Sequence, residues 1–138
     1  MEQYQKAYEF DKSGEHKIKF ELYGNLNMDY MFKDVKTLKS VEIISNTSAK
    51  IISMRSTFEN CNLLEKCYIE GFNTKEIASL HKLFYNTSLS NLHLNIDTTN
   101  VEDVSYMFAL TELEQINLYD YNMSKVKNMS YFCYKKRS

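Results

Sequence analysis

The residues able to act as nucleophiles, ligands or acids are few and scattered. Three cysteines (Cys61, Cys67, Cys133) and three histidines (His16, His81, His93) are spread along the chain. No C-x-x-C pair occurs, and no histidine stands at zinc-ligand spacing from a cysteine. An odd number of cysteines without an apolar leader does not suggest a disulfide framework, so they read as small buried hydrophobes. Asp97 and Asp103 are a candidate carboxylate pair, but their place before an apolar run fits helix capping better than acid–base chemistry. The G-x-S-x-G elbow, the H-E-x-x-H helix, the phosphate loop and the dinucleotide fingerprint are all missing. The sequence therefore predicts no catalytic, cofactor-binding or metal-ligating residue, and no enzyme. The 11 tyrosines are more informative, because an exposed Tyr offers contact area and a hydroxyl at low entropy cost.

Composition narrows the class further. The 138 residues are enough for one domain. Lys+Arg is 17 and Asp+Glu is 18, so the net charge of −1 argues against a general nucleic-acid binder. No apolar run is long enough to span a membrane, and the first residues lack a signal-peptide core. The expectation is a cytoplasmic chain without nucleic-acid or membrane partners. With no Pro and only 3 Gly, tight turns of the usual chemistry are scarce.

The elements that must position any site come from an internal repeat. An apolar-aromatic anchor recurs at Phe32, Phe58, Phe84 and Phe108, with spacings of 26, 26 and 24, and Cys133 follows 25 residues later. Behind each anchor comes an L-x-x-L-x-L pattern: Leu38, Val41, Ile43; Leu64, Cys67, Ile69; Leu89, Leu92, Leu94; Leu113, Ile116, Leu118. The alternation in each pattern predicts a short half-buried strand. The spacing of Val101, Val104, Met107 and Phe108 predicts one face of a short helix. Thr99 and Glu102 have capping-box spacing at its start, and Asn73–Glu76 repeats that signal more weakly. Upstream, Ile18, Phe20 and Leu22 alternate as an atypical first strand, with Met28 and Phe32 in the helix columns.

The phrase Thr98-Thr99-Asn100-Val101-Glu102-Asp103-Val104-Ser105-Tyr106-Met107-Phe108, followed by Leu113-x-x-Ile116-x-Leu118, resembles BspA-type leucine-rich repeats. Met123-Ser124-Lys125-Val126-Lys127-Asn128-Met129-Ser130-Tyr131 repeats the motif, and the resemblance covers about residues 26–133. It implies an α/β leucine-rich-repeat solenoid, often on cell surfaces and binding other proteins. The expected architecture is about five coils of 24–26 residues, with short parallel strands on one face and short helices on the other. Residues 1–31 would form a cap and first coil, 32–133 four repeats, and 134–138 a basic tail.

Outward strand positions then form the expected contact face. They comprise Lys19, Glu21 and Tyr23, then Ser40, Glu42 and Ile44, then Lys66, Tyr68 and Glu70. Asn91, His93 and Asn95, then Gln115, Asn117 and Tyr119, complete it. Glu21, Glu42 and Glu70 are expected to line up as an acidic track, with Tyr23, Tyr68 and Tyr119 as anchors for a basic protein. The concrete expectation is a non-enzymatic inhibitor or immunity protein that occludes a toxin or nuclease, whose cleft for substrate would be basic. The alternative is a surface adhesion repeat protein. Peptide capture, or a homodimer, through an open sheet edge also fits the pattern.

Overall fold

The computed structural model describes residues 24–136. Five short strands occur among them: β1 (Leu26–Asn27), β2 (Ser40–Ile44), β3 (Ile51–Ser53), β4 (Lys66–Glu70) and β5 (Asn91–Leu94). β1 pairs with β3, and the order in the second sheet is β2-β4-β5. Every pairing is parallel. The expected first strand at Ile18–Leu22 lies outside the described residues.

The larger sheet follows the alternation of its residues. Val41, Cys67 and Leu92 stand side by side in register, as do Ile43, Ile69 and Leu94. These side chains turn inward, and Cys67, Ile69 and Leu94 are buried. The alternate residues face solvent.

No helix forms among the described residues, and the two small sheets do not close. This corrects the expected α/β solenoid with helices on one face. The reason lies in how the backbone amides are used. In the segment after β1, Tyr30, Phe32 and Asp34 donate to Arg55, Thr57 and Glu59 of the neighbouring segment. The amides between them, of Met31, Lys33 and Val35, make local bonds to Met28, Tyr30 and Phe32. Ser56, Phe58 and Asn60 donate in the same way to His81, Leu83 and Tyr85. An α-helix would need every interior amide for its own carbonyls. Here alternate amides go sideways, so the chain runs as stacked turns.

That alternation requires left-handed residues. Tyr30, Ser56, Lys82, Tyr106 and Tyr131 form one column at φ between 52° and 59°. Asp34, Asn60, Asn86 and Leu110 form a second, at φ between 57° and 63°. Such a conformation costs a non-glycine residue roughly 1–2 kcal/mol and persists only where neighbours over-determine it. The sideways hydrogen bonds supply that constraint, and they explain how a chain with 3 Gly makes so many turns.

The anchors build the core. Phe32, Phe58, Phe84 and Phe108 stack face to face, with centroids 5.5, 5.5 and 5.8 Å apart. Phe132 ends the row edge-on to Phe108 at 5.4 Å. Phe108 donates its amide to the Phe132 carbonyl, so Cys133 holds the backbone place of the next anchor while its side chain is exposed. Thr57, set in a column of Met and Leu, lies buried with its hydroxyl 2.9 Å from the carbonyls of both Met28 and Met54. That contact makes a polar residue tolerable there.

The capping boxes become Asx turns. Asp97 accepts the Thr99 amide at 2.9 Å, and Asn73 accepts the Lys75 amide at 3.2 Å. The segment expected as the last strand, 115–119, pairs with nothing in the sheets.

Candidate functional site

The outward residues of the three-strand sheet form three rows across the strands. Ser40, Lys66 and Asn91 make the first row, and Glu42, Tyr68 and His93 the second. Ile44 and Glu70 make the third. Asn95 extends it, because its amide donates to Ile69 and continues the ladder one residue past β5.

The second and third rows are locked together. The Tyr68 ring lies on the His93 imidazole, with centroids 4.2 Å apart and planes 13° from parallel. The Glu70 carboxylate bonds His93 Nε2 through one oxygen and accepts Asn95 Nδ2 at 2.8 Å through the other. The His93 bond first, and the Asn95 bond second, hold the Glu70 carboxyl below the usual carboxylate range. Tyr68 is 39% exposed and Ile44 61%, so apolar contact area remains open beside the braced cluster.

The sequence-predicted residues are only partly gathered. Glu42, Ile44, Lys66, Tyr68, Glu70, Asn91, His93 and Asn95 share the face. Glu42 and Glu70 fall in different rows, and Glu70 is engaged by its neighbours, so these two do not form a straight acidic track. Glu21 and Tyr23 lie outside the described residues. Asn117 and Tyr119 sit off the sheet, with Asn117 Oδ1 accepting the Tyr119 amide at 3.0 Å and the Tyr119 side chain fully exposed.

The detached segment leaves a cleft of about 770 Å³ between β5 and residues 113–121. Tyr121 closes one end by donating its hydroxyl to the Leu94 carbonyl at 2.9 Å. Burial, and then Asp120, push the Tyr121 phenol up. No sequence motif marks Asp120 and Tyr121 as site residues. The strand-like alternation of 115–119 hid the break, which starts where Glu112 donates to Leu89. Earlier links between segments in this region run from Glu65 to Lys39 and from Ser90 to Glu65, so the spacing slips here.

On the stacked turns, His81, Ser105 and Asp103 meet in a way that resembles a catalytic triad. Ser105 Oγ is 2.6 Å from His81 Nδ1 and 2.6 Å from Asp103 Oδ1. The serine proton goes to the carboxylate, so the imidazole is the donor and no base faces the hydroxyl. Ser105 is also buried, and Asp103 accepts its amide in the same turn that Asn128 makes with Ser130. The cluster is structural, and burial lowers the His81 pKa.

Burial pushes the Cys67 thiol up to about 12 and the Cys61 thiol up to about 11. Among the described residues no group of three His, Cys, Asp or Glu stands where it would hold a metal ion. No helix long and apolar enough to cross a membrane occurs among them.

Residues 26–138 match the family described as Mycoplasma protein of unknown function, DUF285. The chain belongs to that family. This overturns the resemblance to BspA-type leucine-rich repeats. No curated protein and no solved structure matches the chain.

Proposed function

We propose that the chain is a non-enzymatic binding module that holds a basic protein on the outward face of β2, β4 and β5. The observation that carries this reading is the Tyr68–His93 stack, braced by Glu70 and Asn95. A contact residue already fixed in place loses little side-chain freedom when a partner docks, which favours affinity. Aromatic anchors of this kind dominate interface energetics. Glu42, exposed and directly opposite Tyr68, adds a carboxylate beside the anchor and favours a positively charged partner. In its most concrete form the module occludes the basic cleft of a toxin or nuclease.

The test is capture from native lysate on the tagged chain, with a control carrying Glu42→Lys, Tyr68→Ala and Glu70→Lys. The reading requires one basic protein that the wild type retains and the control loses. The purified partner must then lose its own activity when the wild-type chain is added. A partner held equally by the control moves the interface off this face.

A further inference from the structure

No strand among the described residues pairs with the edge of β5 that faces the cleft. Asn91 donates its amide to Glu65 and Asn95 donates to Ile69, so residues 91, 93 and 95 turn their backbone groups toward β4. Parallel pairing then directs those of Leu92 and Leu94 into the cleft. Tyr121 takes the Leu94 carbonyl. The Leu92 amide, the Leu92 carbonyl and the Leu94 amide have no backbone partner among the described residues.

Three features of the cleft suit an extended chain. Its volume lies within the range of ordinary ligand sites, about 300–1,000 Å³. Its lining includes the apolar residues Phe108, Leu113 and Ile116. Among the described lining residues Asp120 is the one carboxylate and none is Lys or Arg; Lys135 donates to the Leu113 carbonyl at 2.8 Å. β5 itself, Asn-Leu-His-Leu, carries no lysine or proline to discourage pairing.

We infer that this cleft takes an extended segment of a basic protein partner, which adds a strand beside β5 and places a cationic side chain near Asp120. The inference rests on the binding-module reading and gives it a second contact, distinct from the Tyr68 face. Backbone pairing supplies affinity in such complexes, and the alternate side chains supply selectivity.

The test uses the full chain and a short blocked peptide that alternates Lys and Val, with a Glu–Val peptide as comparison. Amide hydrogen exchange at Leu92 and Leu94 is followed by NMR. The Lys–Val peptide should slow exchange at both amides, and Asp120→Lys should weaken binding about tenfold. The Glu42 and Ile44 signals, on β2 at the far side of the sheet, should not move in the same titration, so failure of the slot and failure of the Tyr68 face are separable. Equal binding of the two peptides, or protection that appears elsewhere in the chain, overturns the proposal. So does protection without peptide: constant protection means that the chain closes on itself, and protection rising with protein concentration means that a second copy fills the edge.

Discussion

Tyr68 and His93 lie on neighbouring strands with their rings stacked 4.2 Å apart. They are direct cross-strand partners in the β4–β5 register. The same imidazole bonds Glu70, two residues beyond Tyr68, so one histidine ties an anchor to a carboxylate.

Loss of His93 should therefore be read at Glu70. In the folded chain that carboxyl is held below its ordinary range, first by the His93 bond and then by the Asn95 bond. Its contribution to stability is present above the unfolded carboxylate pKa and is lost as pH falls through the folded one. His93→Ala should raise the Glu70 pKa toward the ordinary value. NMR titration of the Glu70 side-chain carboxyl checks this, and an unchanged midpoint would mean that the bond does not control it.

The aromatic row should dominate stability. Phe84 is fully buried between Phe58 and Phe108. Phe84→Ala should cost about 3–5 kcal/mol in urea unfolding. Phe84→Leu should cost clearly less, because it keeps much of the volume.

Gly71 is a sharper probe of backbone geometry. Its φ is +86°, and an added Cβ would lie 1.9 Å from the Ser45 carbonyl oxygen. Ser45 is itself tied there by donating its backbone amide to the Glu70 carbonyl at 3.0 Å. Gly71→Ala should destabilise by more than about 1 kcal/mol, measured by thermal or urea unfolding.

His81 gives a pH dependence of the same sign as Glu70, in the histidine range rather than the carboxylate range. Its folded pKa is depressed, chiefly by burial, with Asp103 opposing and Lys82 and Arg55 assisting. The unfolded chain then binds a proton before the folded chain does. Stability should fall as pH drops through the ordinary histidine range and level off below the folded pKa. His81→Gln should flatten that part of the stability curve; an unchanged slope would assign it to another group.

The cysteines should separate by reactivity. Cys133 is exposed, whereas Cys61 and Cys67 are buried with raised thiol pKa values. A thiol reagent at neutral pH should modify Cys133 first and reach the other two only on unfolding. Mass spectrometry of the partly labelled protein reads this directly.

The sequence made the core easier to read than the elements. The Phe32, Phe58, Phe84 and Phe108 spacing corresponds to a real stack, because a regular interval of large apolar residues has few other ways to be buried. The inward alternation of β2, β4 and β5 was readable for the same reason. The helices were not, because apolar residues at i, i+3 and i+7 suit any run of local i→i−3 turns. The deciding left-handed positions are held by Tyr30, Ser56, Lys82, Tyr106 and Tyr131, types that give no warning of it. At the candidate site, side-chain direction could be read for Tyr68 and His93, but their stacking depends on cross-strand register. The cleft depends on a slip at Glu112 that leaves the Ile116–Leu118 alternation intact, so its pattern still reads as a strand.

The central claim is that the β2-β4-β5 face around Tyr68 binds a basic protein. The most direct measurement is a titration of the purified captured partner against the wild type, Tyr68→Ala and Tyr131→Ala. Tyr131 is 58% exposed and stacks on Tyr106 along the turns, so it controls for loss of any surface tyrosine. The account predicts at least about tenfold weaker binding for Tyr68→Ala, a hot-spot loss, and wild-type affinity for Tyr131→Ala. Full affinity with Tyr68→Ala, or a loss confined to Tyr131→Ala, would contradict it.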